Sequence, residues 1–217
     1  MTKNASGRTL DSYSKSAEKY EEKFFKYQPY KRQIEKFNDF IPEGSEILDI
    51  GCGPGINAGI LSGFGHRVTG FDYCEKMVEL AKKNCPSGNF SVNTVNNYSS
   101  SLKYDALCLS FIIVHLDNDA VNELFAKLVS FLKLPGFVYI SFMTGKKPGY
   151  EKTSFSENEL FFNYFRTEDI IRSFKKQRFI PVYNASEPYT ESDGSITEDV
   201  FLFFRKYPNG MNPAISQ

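Results

Sequence analysis

The short run Glu46-Ile47-Leu48-Asp49-Ile50 ends directly in Gly51-Cys52-Gly53-Pro54-Gly55, and this junction of strand and glycines constrains the fold more than any other feature of the chain. Three glycines at alternate positions let the backbone turn sharply, take positive φ and pass close beneath a ligand, because no Cβ stands in the way. Such a loop belongs where the first strand of an open α/β sheet feeds its first helix, and ligands of these sheets settle beyond the strand ends. The text that follows keeps that rhythm. Spacing of apolar residues predicts a helix over 56–64, a strand over 66–71 and a helix over 75–83 with Met77, Val78, Leu80 and Ala81 inward. Strands over 89–92 and 104–111, a helix over 117–132 capped by Asp117, and a strand over 137–143 after the Leu134-Pro135-Gly136 turn extend the alternation. The expected architecture is α/β, a doubly wound parallel sheet with helices on both faces.

The flanks carry less regular text. Over 13–40, Ala17, Tyr20, Phe24 and Tyr27, then Ile34 and Phe37, fall at helical spacing interrupted by Pro29, which predicts two short helices within an N-terminal helical cap over 1–43. Residues 144–166 are rich in Gly, Lys and Ser, then in rings (Phe155, Phe161, Phe162, Tyr164, Phe165), and read as a lid-like insertion. Thr167 is expected to cap a last helix reaching about Gln177. Strands over 179–183 and 200–205 follow, joined through a Ser192-Asp193-Gly194-Ser195 turn. At 217 residues the chain fits a single domain over 1–217.

Lys plus Arg equals Asp plus Glu at 26 each, so no net field draws the chain to nucleic acid or an anionic membrane. Four cysteines without a C-x-x-C pair and only two histidines argue against a metal site and for a reducing compartment. Residues 1–20 lack the apolar run of a signal peptide, and 18 successive apolar residues occur nowhere; the expected location is the cytoplasm. These features leave the oligomeric state open.

A dinucleotide loop asks for G-x-G-x-x-G or A, which would put Gly or Ala at position 56, but that residue is Ile56; a phosphate loop would need a following Gly-Lys-Ser or Gly-Lys-Thr, which is absent. Asp49 to Gly55 instead resembles the D-x-G-x-G-x-G first motif of class I S-adenosylmethionine-dependent methyltransferases. Val68-Thr69-Gly70-Phe71-Asp72 is similar to the second motif, whose acid accepts hydrogen bonds from both ribose hydroxyls. Asp72-Tyr73-Cys74-Glu75-Lys76-Met77 resembles its D-x-S-x-x-M continuation, with Cys74 in place of serine. Asn93-Thr94-Val95 stands where the family often has Gly-Asp-Ala beside the adenine, so an amino-group acceptor is lost unless Asn93 or Thr94 supplies an oxygen. Tyr104 to Leu116 and the Leu132-Lys133-Leu134-Pro135-Gly136 turn resemble the fourth strand and the entry to the fifth.

The resemblance implies seven strands, mostly parallel with the last antiparallel, and S-adenosyl-L-methionine as cofactor. It implies a cofactor set of Asp49, Gly51, Cys52, Gly53, Gly55, Asp72, Tyr73, Met77, Asn93, Thr94, Val95 and Ser110. Tyr13 and Tyr20 resemble the rings that cover the methionine end in related enzymes, although their spacing equally makes them core. Transfer from a sulfonium is chiefly a matter of bringing two reactants into line. His115, following the fourth strand with an ordinary pKa near neutrality, is the candidate catalytic base; a structural histidine bonded to a backbone carbonyl is the alternative. Phe162, Tyr164 and Arg166 are candidate acceptor-binding residues. Ser110-Phe111-Ile112-Ile113 lacks the Asn/Asp-Pro-Pro-Tyr/Phe pattern of exocyclic amine methylases, no cysteine follows a proline as cytosine C5 enzymes require, and Asp117 and Asp119 are explained by a helix start. A small-molecule acceptor is therefore expected. The alternatives are a Rossmann-type oxidoreductase, opposed by Ile56, and a cofactor-binding module without activity.

Overall fold

In chain order the elements are α1 (Lys3–Phe25), α2 (Gln28–Asn38), β1 (Glu46–Ile50), α3 (Ile56–Gly63), β2 (Arg67–Asp72), α4 (Glu75–Asn84), β3 (Asn89–Val92) and β4 (Tyr104–Ser110). There follow a single 3-10 turn (Ile113–His115), α5 (Asn118–Phe131), β5 (Leu132–Thr144), β6 (Gly149–Glu151), β7 (Leu160–Phe162), α6 (Thr167–Lys176), β8 (Phe179–Thr190) and β9 (Ile196–Lys206). This computed structural model describes residues 3–191 and 194–208, so Ser192 and Asp193 of the expected last turn lie outside the described residues.

The seven-stranded sheet runs β3-β2-β1-β4-β5-β9-β8, with β1 to β5 parallel and β9 antiparallel to both neighbours, as the resemblance implied. Alternation along the strands sorts the core into two faces. Leu107, Leu109, Val138, Ile140, Leu202 and Phe204 point to the side covered by α5 and α6, where Phe204 stacks on Phe174 at 4.1 Å. Ile47, Ala106, Cys108, Tyr139, Phe201 and Phe203 point to the other, packed by Ile34 and Phe37 of α2 and by Ala58, Leu61, Val78 and Ala81. Asp117 caps α5 through Ala120 N–H at 2.9 Å. Thr167 is not the cap of α6: Arg166 holds that position, and no side chain caps it.

Three differences from the sequence reading bear on function. α1 begins at Lys3, ten residues before Tyr13, because the buried stripe of its first half is made of hydroxyls (Thr9, Ser12, Ser16) at helical spacing instead of apolar side chains. At Ser16 the helix kinks (φ −121°, ψ 17°), where the Ser16 hydroxyl donates to the Ser12 carbonyl at 2.6 Å. Residues 144–166 contain an antiparallel ribbon, β6 with β7. Finally, β8 and β9 run to Thr190 and back from Ile196, well beyond the expected 183 and 200. The polar outer half of β8, with Pro188, reads as a loop, but an edge strand tolerates both. The hairpin thereby extends past the end of β5, where Thr144 pairs with Glu198.

Candidate functional site

The glycine loop is drawn against the end of β2, since Gly51 N–H and Cys52 N–H both donate to the Phe71 carbonyl, at 2.9 and 3.0 Å. Gly51, Gly53 and Gly55 all take positive φ (69°, 51° and 77°), for different reasons. A Cβ on Gly51 would come within 2.7 Å of Ile112 Cδ1 and one on Gly55 within 2.8 Å of the Ala81 Cα, whereas one on Gly53 would meet nothing within 4 Å. Gly53 therefore leaves open space on the wall of a cavity of about 530 Å³ at the carboxyl ends of the strands. Its N–H donates to Asp72 Oδ2 at 3.0 Å, and Cys74 N–H donates to Oδ1 at 2.9 Å. Burial raises Asp72 to about 6, against the pull of those N–H groups.

Gly51, Gly53, Asp72, Tyr73 and Met77 line one end of the cavity together with Asn93, Thr94 and Val95. Asn93 Oδ1 accepts from the Thr94 N–H at 2.9 Å, and Thr94 Oγ1 from the Asn97 N–H at 3.3 Å. Tyr13, Tyr20, Ser110, His115 and Phe162 line the rest, so the two tyrosines on either side of the α1 kink face the cavity.

Five expected contact residues do not line it. Asp49 lies behind the loop on β1, buried beside the Cys108 thiol, and burial raises it to about 7. Cys52 packs in the core against Gly70, and Gly55 is a close-packing residue against α4. Tyr164 turns its hydroxyl to Glu151 Oε1 at 2.7 Å, and Arg166 is exposed beside Glu168 at the start of α6.

His115 lines the cavity and bonds a backbone carbonyl, as the second of its two sequence readings had it, and its pKa departs from the ordinary value. Burial lowers it to about 4, so it is unprotonated at neutral pH. Nδ1 lies 3.1 Å from the Phe161 carbonyl, which can only accept; Nδ1 therefore carries the proton and Nε2 accepts from the Tyr13 hydroxyl at 2.8 Å. His66 is structural, its Nδ1 accepting from Ser45 N–H and its Nε2 donating to Asn38 Oδ1.

The extended hairpin adds what sequence reasoning missed. Asp199 on β9 lines the cavity although 2% exposed, as do Glu191 and Tyr189, with Lys23, Phe24 and Tyr30 contributed by the helical cap. Burial raises Asp199 to about 7, helped by Glu191 and Glu187 and opposed by the Tyr30 hydroxyl bond and Lys23. The signal was present in the period-2 series Thr197, Asp199, Phe201, Phe203, which continues the buried face of the last strand. Phe111, at the end of β4, is held at φ 52° with its N–H bonded to Ser141, the kind of strain that gathers at functional sites.

These buried carboxyls set the pH response. The folded chain keeps protons on Asp49 and Asp199 up to about 7, whereas an unfolded chain loses them near pH 3.9. Their contribution to stability is full at low pH and is lost as pH rises through about 7. Denaturant unfolding of the ligand-free protein from pH 6.5 to 8 should show these two carboxyls costing about 1–2 kcal/mol, offset in part by His66 and His115, which burial lowers and whose unfolded forms shed their protons near pH 6.5. Asp199→Asn should remove about half of the carboxyl contribution relative to wild type; an unchanged profile in that variant would mean Asp199 is already ionised at pH 6.5.

A methyltransferase domain family matches residues 47–136. Ubiquinone biosynthesis O-methyltransferase of Rickettsia conorii (strain ATCC VR-613 / Malish 7) is 31% identical over 126 residues, covering 56% of this chain and 43% of that one. The same-named protein of Rickettsia canadensis (strain McKiel) is 32% identical over 109 residues, or 48% and 45%. The matched stretches thus span less than half the length of these relatives. Among solved structures, 1,6-didemethyltoxoflavin-N1-methyltransferase of Burkholderia thailandensis, bound to its acceptor and S-adenosylhomocysteine, superposes with TM-score 0.73 at 16% identity, covering 94% of this chain and 89% of that one. The N-methyltransferase NodS of Bradyrhizobium japonicum WM9, in complex with S-adenosylhomocysteine, gives 0.63 at 13%, covering 82% and 86%. At such identities the likeness is one of fold.

Proposed function

We propose that this chain, a class I methyltransferase by its domain and its sheet, moves a methyl group from S-adenosylmethionine to a small-molecule acceptor. The observation that carries this reading is the pairing of Gly53, open toward the cavity, with the buried Asp72 carboxylate that its N–H holds. Asp72 keeps accepting capacity for the two ribose hydroxyls, because its two N–H donors occupy one lone pair on each oxygen. Asn93, Thr94 and Val95 border the adenine, and Tyr13 and Tyr20 cover the methionine end. When bound, the cofactor supplies a sulfonium methyl carbon open to in-line displacement. The protein's share is alignment and exclusion of water. The kinked α1 and the 144–166 segment provide the cover, the latter through Phe155 and Phe162. His115 acts by positioning: its Nε2 accepts from the Tyr13 hydroxyl and so fixes the Tyr13 ring beside the reacting groups.

The named activity of the Rickettsia relatives supports an oxygen acceptor. Balanced charge argues against nucleic acid or membrane partners, and four unpaired buried cysteines favour the cytoplasm. Among the described residues no helix is long and apolar enough to cross a membrane. We read the chain as one domain with its helical cap over 1–43 and its cover over 144–166.

Thermal unfolding with S-adenosylhomocysteine, NADH and NADPH tests the assignment. Only S-adenosylhomocysteine should stabilise, by roughly 2.7 kcal/mol at a hundredfold excess over Kd. Stabilisation by a nicotinamide cofactor instead would establish the oxidoreductase alternative.

A further inference from the structure

Beyond the cofactor end, the cavity holds a second polar centre that donor binding does not use. Asp199 Oδ2 accepts from the Tyr30 hydroxyl at 2.8 Å, and among the described residues no other side chain donates to this carboxylate. Tyr30 is itself fixed by rings, stacked on Phe24 (5.6 Å, 8°) and lying 4.7 Å from Phe111. Phe155 faces Phe24 at 6.0 Å and Tyr20 at 5.1 Å. Tyr20 lines the same cavity as Asp72 and Asp199.

The surrounding charge is selective. Glu191 lines the same end as Asp199, so two carboxylates oppose an acidic ligand. Lys23, the cation on this lining, interacts electrostatically with both carboxylates and offsets only one of the two negative charges; its Nζ donates to Tyr189 Oη at 2.6 Å and Ser154 Oγ at 2.7 Å, and sits 5.0–5.6 Å from the centres of the Phe24, Tyr189 and Phe155 rings. A flat apolar body with a hydrogen-bond donor and no acidic group suits such walls.

We propose that Asp199, positioned by Tyr30, is the acceptor-recognition carboxylate of the cavity: it accepts a hydrogen bond from the O–H or N–H of an uncharged planar aromatic acceptor packed against Phe24, Phe111 and Phe155. This deepens the methyl-transfer reading and rests on it only in assigning the opposite end to the cofactor.

The test uses three ring-matched probes at pH 8, by calorimetry, with and without saturating S-adenosylhomocysteine: 2-naphthol, 2-methoxynaphthalene and 2-naphthoate. In the wild type, 2-naphthol should bind about tenfold or more tighter than the ether, and 2-naphthoate weakest of the three. Asp199→Ala should erase the preference for naphthol while S-adenosylhomocysteine affinity stays within about threefold. Asp199→Asn keeps the side chain's shape and loses its charge, so it remains informative if the alanine variant fails to fold; it should admit 2-naphthoate about tenfold better. Equal binding of naphthol and its ether, no naphthol binding, or a preference that survives in Asp199→Ala would each overturn the proposal. Because the naphthol ratio is read in both conditions, absence of S-adenosylhomocysteine binding would count against the donor site while that ratio still judges Asp199.

Discussion

Asp72→Ala is expected to weaken S-adenosylhomocysteine binding by about 2–4 kcal/mol, roughly 30- to 1000-fold, the largest affinity loss of any single substitution in this cavity. The carboxylate lies at the end of β2, 8% exposed, and two ribose hydroxyls donating to it would form charge-assisted bonds in a site shielded from water. Removing it also frees the Gly53 and Cys74 N–H groups that it now accepts, so the loop loses the anchor that presents Gly53 to the ligand. The effect on folding should be smaller. Burial has already raised Asp72 to about 6, which means the ligand-free protein bears a desolvation cost that alanine relieves, offsetting the two unmet N–H groups. Calorimetry on a variant whose circular dichroism and unfolding midpoint show it folded separates the two effects. Affinity within about threefold of wild type would remove Asp72 from the cofactor site.

Where the sequence encodes structure through local periodicity, the reading and the structure agree. The strand, glycine loop and helix from Glu46 to Gly63, the helix face of Val121, Leu124, Phe125 and Leu128, and the placement of Asp72 at a strand end were all legible. What escaped depends on contacts distant in the chain. The hydroxyl stripe Thr9, Ser12, Ser16 shows no apolar moment, yet it is buried and carries α1 over the cavity. The outer half of β8 is polar because it forms the sheet's edge, and only its pairing with β9, such as Glu187 with Asp199, identifies it as strand. His115 was chosen for its place after the fourth strand and its ordinary pKa; the place holds, but the burial that lowers the pKa, and which carbonyl the ring bonds, were invisible until the ribbon was placed. Tyr164 and Arg166 were chosen from a crowded aromatic stretch, and a crowd of rings does not reveal which of them turn inward.

The loop glycines separate folding from binding in a way that one pair of substitutions can measure. Gly55→Ala is expected to destabilise the protein by about 2–5 kcal/mol: positive φ costs about 1–2 kcal/mol for a residue with a Cβ, and overpacking adds about 1–3 kcal/mol. The overpacking cannot be relieved cheaply, because the nearest atom, at 2.8 Å, is the Ala81 Cα in the backbone of α4. Gly51 is the milder case, since its obstacle is the end of the Ile112 side chain, which can rotate. Gly53→Ala meets no protein atom within 4 Å and should cost only the strain of its φ, about 1–2 kcal/mol. Its methyl would instead enter the space a ligand uses, and S-adenosylhomocysteine affinity should fall by a factor on the order of 10 to 100, equivalent to about 1.4–2.8 kcal/mol. Denaturant unfolding and calorimetry on both variants give the pattern: stability lost at position 55 and affinity lost at position 53. If Gly53→Ala binds S-adenosylhomocysteine as tightly as wild type, the loop does not lie beneath the ligand, and its three glycines serve the turn alone.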